Sequence, residues 1–183
     1  MANKNNLEVW QRGSVPGVPP LLQPVAHALL QAKEEVVDIL TEFPAELLWL
    51  QPAGMASVGF HLQHLTGVID RLFTYAKNEK LNETQFASLK QEGKDTLEGL
   101  TCEDLINSFQ IQVDKAIDQL KETDETSLAD YRSVGRTGLP SSVVGLLFHA
   151  AEHSMRHLGQ LLVTVKVVRG FKVESLKFKE KIK

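Results

Sequence analysis

A chain of 183 residues with 43% hydrophobic and 23% charged side chains has the make-up of an ordinary globular protein, long enough for one domain with its own core. A net charge of −3 and a pI near 6.1 exclude a global basic field that would draw nucleic acid or a membrane surface. The single cysteine, Cys102, excludes an internal disulfide, and no run approaches the roughly 18–20 apolar residues of a spanning helix.

Residues 1–20 carry Gly13, Pro16, Gly17, Pro19 and Pro20 and read as an extended arm. Leu7, Val9, Trp10, Val15 and Val18 give that arm apolar side chains to lay along a neighbouring surface. The opening Met-Ala-Asn-Lys-Asn-Asn lacks the apolar core of a signal peptide, so a cytoplasmic location is expected and the Asn82-Glu83-Thr84 sequon carries no weight. From Leu21 to Phe43, Val25, Leu29, Ala32, Val36, Ile39, Leu40 and Phe43 recur every three or four residues and predict a first helix, ended by Pro44. A second helix opens behind the N-cap Ser57 and runs to about Asn78. A short helix from Glu83 to Lys90 follows the capping-box pair Asn82 and Gln85.

Thr101 and Asp104 have the same spacing and open a third long helix, striped by Leu105, Phe109, Val113, Ile117 and Leu120. Residues 123–139 are polar and read as a connection, in which Tyr131-Arg132-Ser133-Val134 can make one short extended pairing. A fourth helix is predicted from Pro140 or Ser141 to Arg169, with Gly170 as its stop. Beyond it, Lys166 to Lys183 holds seven Lys/Arg against Glu174 and Glu180. The expectation is an all-α chain: an arm over 1–20, a four-helix bundle over 21–170 with a short extra helix, and a basic tail over 171–183. The arm and the tail residues Phe171, Leu176 and Phe178 need a surface to cover, which points to a homodimer.

Five of the six histidines fall in two places: His61 and His64 on the second helix, His149, His153 and His157 on the fourth. Residues four apart share a helix face, so two of the last three can aim at one point. A metal ion needs three or four ligands, so a facing helix must supply another. Each four-residue step drifts about 40° around the helix, which sets His149 and His157 too far apart to share an ion. His153 is therefore common to either pairing. With His149 it forms His-Ala-Ala-Glu-His, the string of inverted zinc peptidases, in which Glu152 would be the general base.

These segments resemble the DinB/YfiT-like metalloenzyme superfamily, also called the damage-inducible DinB-like family. In that family a Ser or Thr opens the second helix and a ligand histidine follows seven residues later; here Ser57 is followed by His64-Leu65-Thr66. The family's last helix carries two histidines four apart, the second leading into Arg-Gly-Gln. The stretch here reads His153-Ser154-Met155-Arg156-His157-Leu158-Gly159-Gln160, with Leu158 where many members have Arg. The resemblance implies His64, His153 and His157 as metal ligands, with His61 and His149 as extras one turn away.

Three neutral imidazoles leave a zinc or nickel ion its full charge and an open position, the arrangement of a catalytic site. The resemblance implies an ion that activates a water or a low-molecular-weight thiol, hence a hydrolase or a thiol-dependent transferase acting on a small molecule. The alternative is a non-catalytic metal-binding or stress-response module. Gln160, Glu152, Asp70, Arg71, Tyr75 and Arg156 lie within a turn or two of the ligands and are candidates to orient a ring or a substrate. Cys102 sits at a helix start, a position that can activate a thiol.

Overall fold

An apolar residue every third or fourth position gives a helix one face to bury, and four such helices bury theirs together. The computed structural model describes residues 7–95 and 100–181, the side chains of 171–181 excepted. The long helices are α1 (Gln23–Leu40), α2 (Val58–Ala76), α4 (Cys102–Glu122) and α5 (Val143–Lys181), with the short α3 (Glu83–Gln91) between α2 and α4. Both α1 and α2 pack on α4 and on α5. Leu29 and Val36, Leu62 and Ile69, Phe109 and Leu120, and Leu147, Leu158 and Leu161 lose all or nearly all solvent contact where the four helices meet. The chain is mostly helical, and no helix among the described residues is long and apolar enough to cross a membrane.

The capping residues act where their spacing predicts. The Ser57 hydroxyl accepts from the Phe60 N–H at the start of α2, and Asn82 with Gln85 and Thr101 with Asp104 form reciprocal boxes before α3 and α4. Strand β1 (Tyr131–Val134) pairs antiparallel with β2 (Leu139–Ser142), Tyr131 opposite Ser142. Gly135 and Gly138 have positive φ in the turn between them.

Three sequence-based boundaries and the conformation of the arm are corrected. Helix α1 ends at Leu40, and Glu42 takes a positive φ before Pro44 is reached. Helix α5 begins at Val143, because residues 139–142 are used by the strand; the Ser142 hydroxyl then accepts from the Gly145 N–H and caps it. Gly170 does not stop α5, whose backbone continues to Lys181. Glycine ends a helix only where the chain turns left-handed behind it; otherwise it merely weakens one. The arm is not simply extended, since Val9–Arg12 forms a 3₁₀ turn with Val9 buried. The Val9 N–H donates to Gln31, Arg12 grips both carboxylate oxygens of Glu34, and His27 Nε2 donates to the Gly13 carbonyl, which together lay the arm along α1. Trp10 stays 61% exposed. The covering role expected of Phe171, Leu176 and Phe178 falls on side chains outside the described residues.

Candidate metal centre

The Ser57 cap fixes where α2 starts, and with it which way each later residue faces. Phe60, His61 and His64 point at the part of α5 that carries His153 and His157. There the imidazoles meet. His64 Nε2 lies 2.9 Å from His153 Nε2, and His61 Nδ1 lies 3.3 Å from His157 Nδ1. Ring centroids stand 4.3 Å apart for His64 and His157, 4.6 Å for His153 and His157, and 5.2 Å for His64 and His153. One nitrogen from each of His64, His153 and His157 lies within 4.8 Å of the other two, and all three residues are partly exposed.

His149 is left out of this cluster. It lies on the outer side of α5, where its Nδ1 is 3.6 Å from a Glu152 oxygen. His149, Glu152 and His153 form a second group able to hold an ion, but that group contains no second carboxylate of the kind the peptidase signature needs. Glu152 is also tied to Arg156 one turn on, and that hydrogen bond holds its carboxyl below the usual range. Leu158 is buried in the core, whereas Arg156 is exposed and pairs with Glu152.

Packing decides the protonation of the cluster. Burial, and then the proximity of His64, brings His61 down to about 4. Burial followed by His64, His153 and His61 does the same for His157, also to about 4. His153 is lowered as well, by burial first and then by His64 and His149. These rings are neutral near pH 7, the form that binds metal.

One residue here gave no signal in the sequence. Glu92, the C-cap of α3, places Oε2 2.6 Å from His64 Nδ1 and Oε1 2.7 Å from Arg71 Nη1. Burial alone would raise the Glu92 carboxyl, but the hydrogen bonds and charges of His64 and Arg71 bring it below its ordinary value. The chain turns away at Gly93, with φ +81°, whose N–H donates to Gln63 on α2 at 2.7 Å. Phe60 lies flat on the His64 ring, 5.3 Å between centroids and 9° between planes. Glu92 is 28 residues from His64 in a polar stretch with no period, so spacing could not find it. The available hint was Gly67, a glycine inside a helix one turn from His64.

Of the other candidates, Arg71 joins the site through Glu92, while Asp70 accepts from Gln85 instead. Gln160 is exposed. Cys102 is buried, and burial pushes its thiol up to about 11, the reverse of activation.

The donor set suits a divalent ion. Ligands about 2.0–2.1 Å from one tetrahedral zinc stand about 3.3 Å from each other. The His64 and His153 Nε2 atoms are within a few tenths of that spacing at 2.9 Å. His153 Nδ1, the ring nitrogen not paired with His64, is buried with no hydrogen-bond partner among the described residues. A sequence model of the DinB superfamily matches residues 27–161, a stretch that contains all three histidines. No curated protein matches the chain.

Proposed function

The chain belongs to the DinB superfamily, and from that premise we propose that it is a metal-dependent enzyme holding one divalent ion, zinc or nickel, on His64, His153 and His157. The carrying observation is the convergence of three imidazole nitrogens from α2 and α5 within 4.8 Å. We read the four long helices as the family's four-helix bundle, which brings α2 and α5 side by side.

When bound, the ion supplies a Lewis-acid centre with an open position, suited to activating a water or a low-molecular-weight thiol toward a small substrate. The chain's own residues do the rest. His153 and His157 offer neutral nitrogens from successive turns of α5, and His64 offers the third from α2. The His61 ring sits 3.3 Å behind His157 and holds its Nδ1, which leaves Nε2 for the cluster. Partial exposure of all three histidines favours an enzyme over a sealed structural site. A homodimer in the cytoplasm belongs to the same proposal, and a monomeric mass in light scattering would end the dimer.

The test is metal content by plasma mass spectrometry on protein purified without a histidine tag, beside His64→Ala and His153→Ala. Near one ion per chain, lost in both variants with helicity retained, supports the site and justifies screening hydrolytic and thiol-dependent substrates. No ion in the wild type, even after zinc or nickel is added back, overturns it. A bound ion with no turnover across those screens supports the non-catalytic module instead.

A further inference from the structure

Of the two nitrogens on the His64 ring, one faces the histidine cluster and the other is already committed. Nδ1 lies 2.6 Å from Glu92 Oε2. An ionised carboxylate only accepts, so a neutral His64 carries its hydrogen on Nδ1 and presents a lone pair at Nε2. We infer that Glu92 is a positioning residue of this centre, setting the tautomer and the angle of His64, and that Gly67 and Arg71 exist to hold it. The inference rests on the proposed three-histidine site and names what makes one of its ligands competent.

Gly67 carries the argument independently of the hydrogen bond. Glycine is a poor residue for a helix interior. A Cβ at this position would stand 2.5 Å from Arg71 Nη1 and 2.7 Å from Glu92 Oε1, so any side chain would force the ends of these two side chains to shift from the positions in which they pair. The same face of α2 supplies Phe60, stacked on the His64 ring, and Gln63, which accepts from the Gly93 N–H next to Glu92. Successive turns of one helix thus grip a single carboxylate brought in from the end of α3. The Glu92 charge also makes the His64 ring a stronger donor at Nε2.

Two measurements on the full chain test this. In the metal-free protein, long-range ¹H–¹⁵N correlation of the imidazoles should find His64 protonated on Nδ1 in the wild type and lose that preference in Glu92→Ala. In zinc competition against a chromophoric chelator, Glu92→Ala should bind about 10–100-fold more weakly at unchanged stoichiometry. Glu92→Gln should fall between, because its amide oxygen still accepts from Nδ1 without the charge. Gly67→Ala should also weaken binding while the metal-free protein keeps its helicity. A His64 that stays on Nδ1 in Glu92→Ala, or wild-type affinity in both Glu92→Ala and Gly67→Ala, overturns the inference. A wild type that binds no zinc defeats the three-histidine site, and the tautomer measurement still decides whether Glu92 sets His64.

Discussion

Glycine inside a helix costs about 0.5–1 kcal/mol relative to alanine, and α2 carries Gly59 as well as Gly67. Gly59 lies under the Trp49 ring, where an added Cβ would stand 2.4 Å from Cζ3. Gly59→Ala therefore gains helix propensity and loses more to overpacking, a typical cost of about 1–3 kcal/mol. The expected outcome is a lower urea midpoint with unchanged slope, together with an altered Trp49 environment; a midpoint at or above wild type would show that the ring moves aside freely. Cys102 makes the opposite point about a residue whose position in sequence is suggestive. A helix start can activate a thiol, but this thiol is buried and pushed up to about 11. Alkylation at pH 8 should be slow in the native protein and fast in urea, and rapid native labelling would contradict the burial.

At the scale of elements, the helices are delimited by caps that act within four residues. Thr101 accepts from the Asp104 N–H while Asp104 accepts from the Thr101 N–H and hydroxyl, which holds the Asp104 carboxyl below its ordinary value of 3.8. Thr101→Ala should destabilise by about 1 kcal/mol, read as a drop in melting temperature. A carboxyl depressed in the fold contributes stability above its unfolded value and loses it as pH falls through the lower folded value. The melting temperature should therefore decline below about pH 4, and Asp104→Asn should flatten that decline. An identical slope in the variant would assign the acid response elsewhere. The caps before α2, α3 and α4 were legible because donor, acceptor and spacing all sit in one short string. The start of α5 was not: the Pro140-Ser141-Ser142 string suits a helix start, yet pairing with β1 takes those residues first and leaves Ser142 as the cap.

For the whole molecule, an ion held between α2 and α5 would tie two of the four packed helices together, so metal and folding are linked. A ligand at a hundred times its Kd stabilises the native state by about 2.7 kcal/mol. Zinc should raise the melting temperature by several degrees, a chelator should reverse the rise, and His157→Ala should abolish it while leaving the metal-free transition close to wild type. An equal zinc response in His157→Ala would place the ion elsewhere. Phe109 is fully buried on α4, a helix that supplies none of the clustered histidines. Phe109→Ala should cost about 3–5 kcal/mol with or without zinc.

The sequence by itself determined the four long helical segments, the caps before α2, α3 and α4, and the face of α5 on which histidines recur, since each is encoded by residues within one or two turns. It also placed His64 on α2, through the Ser57 cap and the apolar spacing behind it, and the family resemblance singled His64 out by its seven-residue interval from Ser57. It left open which neighbour shares His153's target, and what His61 and His149 do. Only the tertiary structure shows where these rings sit: α5 lies on α2 so that His153 and His157 face His64 and His61, His61 backs His157, and His149 is exposed. Glu92 was beyond reach for the same reason. Its contact with His64 spans 28 residues and depends on α3 ending at the right height against Gly67, Gln63 and Arg71. No local period encodes a contact between the end of one helix and the face of another.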